Sequence, residues 1–462
     1  MLISGISGGS GKTFVSLGLA RALVKRGLVL RPFKKGPDYI DAAWLTLAAR
    51  VEACNLDQHL MSSATVCSLF SNKMHGKDMA LVEGNRGLFD GGDESGSLSS
   101  SELARLLGLP VILVLDATKM TRTAAAIVHG VNIFEKDLKL GGVILNRVAG
   151  ARHAALLRES IKTYTNVPVF GTLPKIKNPI PERHMGLWSN REMQGQEVIL
   201  DSLADIMEKH LDIPGLLRVA RCAADLAVCP PVQWPKVDGV EASTRPIIGV
   251  IRDAALWFYY PENIEALQRA GAEIRELSIL ETESWPVIDG LYMGGGFPET
   301  LAARIADNKP VRDHVRNLAL SGLPMYAECG GFIFLSRELV VGDRTYPMAG
   351  VFDLSTHVCA RPQGLGYVAA VVDKPNVYHP VGTVLNGHEF HYSTCTPPHD
   401  NSRPDCAMRL TRGTGMHEGR DGLIRNNVFA CYTHLHALGA PHWAVNFVAA
   451  ARVAAANRVR IN

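Results

Sequence analysis

The chain has 462 residues, 47% hydrophobic and 20% charged, an ordinary globular composition that is long for one domain. Its net charge of +3 is dispersed, with no basic stripe carrying interleaved aromatics, which excludes nucleic acid as a partner. No apolar run approaches the roughly 18–20 residues of a membrane span. The nine cysteines lack paired Cys-x-x-Cys spacing, so a reducing cytoplasm is expected rather than a disulfide framework or structural zinc.

The first predicted element is a short strand over Met1–Ile3, so no targeting peptide is expected. It runs into Gly5-Ile6-Ser7-Gly8-Gly9-Ser10-Gly11-Lys12-Thr13, and Val15, Leu17, Leu19, Ala22 and Leu23 then read as a helix. Strand, glycine loop and helix is the context of a phosphate-binding loop, here one residue longer than the usual spacing. Backbone N–H groups of Gly8, Gly9, Ser10 and Gly11 would hold phosphate oxygens of ATP at the helix N-terminus. Lys12 would neutralise the β/γ charge, and the Thr13 hydroxyl would ligate Mg²⁺.

Apolar runs at Leu28–Phe33, Met79–Glu83, Pro110–Leu115, Gly142–Asn146 and Val167–Thr172 alternate with helical patterns such as Ser101–Leu107 and Thr121–Val131. The alternation predicts an α/β fold with a parallel, doubly wound sheet over residues 1–215. After the second strand, Lys34-Lys35-Gly36-Pro37-Asp38-Tyr39-Ile40-Asp41 brings two carboxylates to a strand end, where ligands of open sheets bind. Asp38 is a Mg²⁺ candidate, or equally a helix cap. Glu83 closes the third strand as a Walker-B-like Mg²⁺ candidate, and Asp90 in the following glycine-rich loop is a substrate contact or a turn residue. Asn146 ends the fifth strand, where its amide can read an adenine edge or cap a turn.

Prolines 230, 231, 235 and 246 mark a linker, set at 216–245, and a second α/β domain is expected over 246–452. Its strands are placed at Ile247–Ile251, Gly290–Met293, Pro324–Ala327, Leu365–Val372 and Val428–Tyr432. Met325-Tyr326-Ala327-Glu328-Cys329-Gly330-Gly331 has the pattern of a nucleophile elbow, a strand delivering a thiol to a glycine turn. Gly295 and Gly296, in the run Gly294–Glu299, and Gly330 offer backbone N–H groups for a substrate oxyanion. A base is needed, and His434 at the end of the last strand is the first candidate, with His436 as its rival. His388, Glu389 and His391 form a weak metal pattern, because their spacing is not that of a helical zinc motif. The other eight cysteines lack a glycine-elbow context and read as incidental thiols.

Taken together, these motifs resemble the cobyrinate a,c-diamide synthase family along nearly the whole chain. The residues that carry the resemblance are Gly36–Asp41, Glu83–Gly91, Glu182–Leu187, Asp253–Asn263, Gly294–Glu299, the Cys329 elbow, Gly387–Tyr392 and Tyr432–His434. The first half is similar to P-loop domains of the dethiobiotin-synthetase type, and the second to class I glutamine amidotransferases. The resemblance implies two doubly wound α/β domains in a glutamine-hydrolysing carbon–nitrogen ligase. Cys329 would be its nucleophile and His434 its base, with ATP and Mg²⁺ as cofactors.

L-Glutamine would supply ammonia, and acetate side chains of a tetrapyrrole-derived polycarboxylate would accept it through acyl phosphates. Tyr39, Asp41 and Asp90 would face that acceptor, with Lys34, Lys35, Arg86 and Arg183 as cationic candidates. The acceptor implied is cobyrinate, with hydrogenobyrinate, nickel-sirohydrochlorin and the larger cobyric acid amidase as nearby alternatives. The resemblance leaves a homodimer open. A P-loop switch fused to an inactive amidotransferase module is the alternative of a different class. Two positions depart from the pattern. His436 stands where other class I enzymes place the triad acid, and Phe14 stands where a second threonine often follows the loop.

Overall fold

The computed structural model describes residues 1–176, 180, 182–183, 186–187, 193–224, 229–235, 245–282, 284–397 and 403–461. Two compact units result, one of Met1–Gln58 with Ser62–Val232, the other of His59–Met61 with Gln233–Asn462.

The first unit runs β1 (Leu2–Gly5), α1 (Lys12–Lys25), β2 (Leu30–Lys35), α2 (Tyr39–Ala49), β3 (Cys54–Leu56), α3 (Ser63–Lys73), β4 (Met79–Glu83), α4 (Ser100–Leu106) and β5 (Val111–Asp116). It continues with α5 (Arg122–Phe134), β6 (Leu140–Val148), α6 (Ala151–Tyr164), β7 (Val169–Pro174), β8 (Glu182–Arg183), β9 (Gly186–Leu187), α7 (Gln196–His210) and α8 (Ile213–Ala220). Seven strands form a parallel sheet in the order β3-β2-β4-β1-β5-β6-β7. Residues of β1, β2 and β4 are buried throughout, as expected for strands covered by helices on both faces.

Strand β2 lies two residues later than its apolar run suggested. Its pairing with β4 continues as far as Lys34 opposite Glu83, so two lysines join a buried strand. At Lys34 the ion pair with Glu83 compensates for the missing apolar character. Helix α8 continues the first unit past residue 215.

The second unit contains β10 (Ile247–Ile251), β11 (Leu256–Phe258), α9 (Pro261–Arg269), β12 (Glu273–Leu277), β13 (Gly290–Met293), β14 (Gly295–Gly296), α10 (Ala302–Asp307), α11 (Lys309–Leu320), β15 (Met325–Glu328) and α12 (Gly330–Leu335). Then come β16 (Glu338–Val341), β17 (Arg344–Pro347), β18 (Ser355–Val358), β19 (Gly364–Val372), β20 (Val384–His391), β21 (Ser393–Thr396), β22 (Cys406–Arg412), β23 (Arg420–Arg425), β24 (Val428–Cys431), β25 (His434–Leu435) and α13 (His442–Ile461). Ten strands form one mixed sheet in the order β12-β10-β13-β15-β24-β23-β22-β19-β20-β25. The first five are parallel, and the rest join them in antiparallel pairs.

Alternating side chains of these strands build a core on each face of the sheet. Leu291, Met293, Met325 and Ala327 pack on one side, and Tyr292, Tyr326 and Phe429 on the other. Tyr326 and Phe429 stack at 5.3 Å, with their rings 3° from parallel.

Candidate functional sites

In the first unit, β1 ends at the phosphate loop and β4 ends beside it, with Ile3 opposite Glu83. This register brings Thr13 Oγ1 within 2.7 Å of Glu83 Oε1. Lys12 Nζ donates to Ser7 O across the loop at 3.0 Å, and burial followed by the charge of Lys34 lowers its pKa. Asn146 sits against the loop, with Nδ2 donating to Ser10 O at 2.9 Å and Oδ1 accepting from Arg147 N.

Lys34, expected as a cationic contact for an anionic acceptor, is 2% exposed. Its ammonium lies 2.6 Å from Asp41 Oδ2, 3.0 Å from Glu83 Oε1 and 3.9 Å from Asp38 Oδ2. Burial opposes the lysine charge, but Asp41, Glu83 and Asp38 outweigh it and hold the group protonated. Asp38 also caps α2, accepting from Asp41 N at 2.9 Å, and burial together with the Asp41 charge raises its carboxyl to about 7. Tyr39, half-buried, is the first residue of α2.

Asp90 Oδ2 accepts from Gly87 N at 2.9 Å and so closes its own turn. Lys35 is buried and Arg86 exposed, while the side chains of Glu182–Leu187, Arg183 among them, lie outside the described residues.

Donor chemistry here fits Mg²⁺. The Thr13 hydroxyl and the carboxylates of Asp38, Asp41 and Glu83 are hard oxygen donors, and Glu83 Oε2 is buried with no hydrogen-bond partner among the described residues. No cage of three His, Cys, Asp or Glu side chains exists among the described residues. A cation that takes only one or two carboxylates beside phosphate oxygens needs none.

In the second unit, β15 delivers Cys329 to the turn before α12. Its φ of 46° and ψ of −100° lie outside the ordinary regions for an L-residue, the strained geometry of a nucleophile elbow. Close packing explains the glycines around it. A Cβ on Gly330 would lie 2.9 Å from Gly296 N, and one on Gly295 would lie 2.5 Å from His434 Cε1. Cys329 is 4% exposed. Burial pushes its pKa up and the charges of Glu299, Glu328 and Asp421 add to the rise, while the Gly330 N–H opposes it.

His434 Nδ1 lies 3.1 Å from Glu328 Oε2. Both residues are buried, and Glu328 directly precedes Cys329. Burial raises the Glu328 carboxyl, and the hydrogen bond from His434 pulls it back. The segment leading to His434 is held by Asp421, which accepts from Tyr432 N, Thr433 N and Thr433 Oγ1 at 3.0, 2.9 and 2.6 Å. His436 lies 3.5 Å from Glu262, and its Nδ1 accepts from Leu438 N.

In the weak metal pattern, Glu389 and His391 lie 3.4 Å apart, and each of the three residues has further partners of its own. His388 bonds Tyr260, Glu389 accepts from Thr414 N and Gly415 N, and His391 stacks on Tyr432 at 3.6 Å. All nine cysteines are free thiols. Among the described residues, no helix is long and apolar enough to cross a membrane.

Sequence comparison agrees with this division. A model of the CobQ/CobB/MinD/ParA nucleotide binding domain matches residues 1–187, and one of the CobB/CobQ-like glutamine amidotransferase domain matches 247–442. A cobyrinate a,c-diamide synthase of Magnetococcus marinus is 40% identical over 448 residues, 96% of this chain and 95% of the relative. The chain belongs to the cobyrinate a,c-diamide synthase family. Other members of the family are the proteins of that name from Archaeoglobus fulgidus, 37% identical over 97% of this chain and 96% of its own, and Dehalococcoides mccartyi, 38% over 97% of each. Membership makes the chain a glutamine-hydrolysing amidating ligase with a nucleotide-binding P-loop domain, and the reading as a non-catalytic switch falls away.

Proposed function

We propose that the chain amidates the a and c acetate side chains of cobyrinate, using ATP, Mg²⁺ and glutamine. The observation that carries the glutaminase half is the strained, buried Cys329, preceded in the chain by the Glu328 that holds His434. A carboxylate only accepts hydrogen bonds, so an ionised Glu328 keeps the proton on His434 Nδ1 and makes Nε2 the basic nitrogen. With its thiol pushed up, Cys329 rests protonated and needs that base.

His434 takes the thiol proton as sulfur attacks the carboxamide carbon of glutamine. Backbone N–H groups of Gly295, Gly296 and Gly330 stabilise the oxyanion. His434 then gives the proton to the departing ammonia, leaving a thioester. Water, deprotonated by the same imidazole, attacks the thioester and releases glutamate.

In the P-loop unit, Gly8, Gly9, Ser10, Gly11 and Lys12 hold the phosphates of ATP, and Asn146 supports the loop. Thr13, Glu83 and Asp38 would hold Mg²⁺, which neutralises phosphate charge when bound. A substrate carboxylate is a poor electrophile. Its oxygen therefore attacks the γ-phosphorus, ADP leaves, and ammonia displaces phosphate from the resulting acyl phosphate. Tyr39 and Asp41 lie in the first turn of α2 and Asp90 on the loop after β4, at the strand edge where the acceptor would sit.

The names of the relatives favour cobyrinate as acceptor. Mass spectrometry of cobyrinate incubated with ATP, magnesium and glutamine tests the reading. Two successive amide additions, with an early monoamide, support it. Turnover of hydrogenobyrinate or nickel-sirohydrochlorin with no change in cobyrinate would overturn the acceptor, and four new amides would point to the larger amidase.

A further inference from the structure

The segment Tyr259-Tyr260-Pro261-Glu262-Asn263 carries part of the family resemblance, yet none of the proposed chemical steps uses it. Its contacts lead to the two sides of the glutaminase site. Tyr259 accepts from Gly294 N at 2.7 Å, at the start of the glycine loop. Tyr260 OH lies 2.8 Å from His388 Nε2, and both residues are buried.

His388 and His434 are direct cross-strand partners in the antiparallel pair β20–β25, the arrangement that brings side chains closest. Their rings stack with centroids 4.9 Å apart and planes 20° from parallel. Glu328 holds His434 by one edge, in the plane of the ring. Rocking of the ring about the Nδ1···O axis is not opposed by a contact on that edge. A flat partner on the ring face blocks that motion.

We propose that His388, oriented by Tyr260, is a positioning residue for His434, holding the face of the base while Glu328 holds its edge. The inference rests on the reading of His434 as general base. Burial and the charge of His434 keep the His388 pKa well below its ordinary value, so it presents a neutral ring. A neutral ring adds no repulsion when His434 becomes an imidazolium during thiol attack. The hydrogen bond between the phenol and Nε2 of that neutral ring sets the ring's orientation.

The test compares Tyr260→Phe, His388→Phe, His388→Ala and His434→Ala in the full chain. For each, kcat and KM for glutamine hydrolysis and amidation of cobyrinate with ammonium are measured. Misplacing a catalytic group by about 1 Å costs up to about 100-fold in rate. His388→Ala should therefore lower glutaminase kcat by about 10–100-fold with KM for glutamine unchanged. Tyr260→Phe should lose less, and His388→Phe, which restores a flat ring, should recover part of the loss.

Ammonium-dependent amidation should persist in all four variants. If His388→Ala fails to fold, Tyr260→Phe decides, since it removes one oxygen and keeps the ring. Unchanged kcat in Tyr260→Phe and in any folded His388 variant, or equal losses of glutamine- and ammonium-dependent activity, would overturn the proposal. Undiminished glutaminase activity in His434→Ala would instead overturn the assignment of the base.

Discussion

Glu328 Oε2 and His434 Nδ1 stand 3.1 Å apart, although 106 positions separate them in the chain. The strand pairing makes this contact: Glu328 ends β15, which runs parallel to β24, and the chain leaves β24 only three residues before His434. His436 stands where other class I enzymes place a carboxylate, and the carboxylate that contacts His434 comes from immediately before Cys329.

The first prediction concerns that pair. Glu328→Gln preserves shape but lets the amide donate as well as accept, so the His434 tautomer is no longer fixed. Glutaminase kcat should fall by about 10–100-fold, the usual cost of losing an orienting partner. Ammonium-dependent amidation should continue. A variant with the parent's glutaminase rate would show that Glu328 is only a buried structural acid.

Much of this was legible in sequence, for physical reasons that differ by residue. The P-loop and the Cys329 elbow declare themselves because glycine spacing encodes backbone geometry locally. Parallel strands buried on both faces read as apolar runs, so β1, β4, β10 and β13 were expected close to where they lie. Strands β16 to β23 alternate polar and apolar residues and depend on long-range pairing, which left most of them unmarked. Glu328 escaped notice because its partner lies 106 positions away in the chain and nothing local marks the pair. Lys34 was read as a cationic contact for the acceptor, since lysine is rarely buried without partners. Its three partners converge only when β2, β4 and α2 are assembled.

The second prediction separates the two half-reactions. Cys329→Ala removes the atom that forms the thioester but nothing that binds ATP. Glutamine-dependent synthesis should be lost, and synthesis with high ammonium should remain. Residual synthesis on glutamine at the parent's rate would exclude Cys329 as nucleophile.

The third prediction ranks the two histidines. His434→Ala should cost about 10²–10⁴-fold in glutamine hydrolysis, the range for a general acid–base group. His436→Ala should cost less, because its contacts run to Glu262, Leu438 and the ring of Tyr260 rather than to Glu328. Reversed severities would move the base to His436.

The fourth prediction concerns the cation. Glu83→Gln removes a charged oxygen beside Thr13 and should raise the magnesium concentration needed for half-maximal activity, by about tenfold or more. Lys12→Ala should block amidation with ammonium as well as glutamine, while alkylation of Cys329 continues. An unaltered magnesium requirement in Glu83→Gln would leave Glu83 as the structural partner of Lys34.

The fifth prediction follows from the buried histidine at the far side of β15. His379 Nε2 lies 3.2 Å from Tyr326 OH and Nδ1 lies 3.0 Å from His442 Nε2. Burial and the neighbouring His442 push the His379 pKa down to about 3. In the unfolded chain the same imidazole titrates near 6.5. Above that value neither state binds the proton, and His379 has no influence on stability. As pH falls below it, the unfolded chain takes up a proton that the fold refuses, so stability is lost until pH reaches about 3. The slope is about 1.4 kcal/mol per pH unit for each such group. Urea unfolding of the chain and of His379→Gln at about pH 7 and 5.5 measures it through the two midpoints. His379→Gln should be less stable at neutral pH, because it disturbs two buried hydrogen bonds, yet lose less on acidification. An equal loss in both proteins would mean that His379 is protonated within the fold.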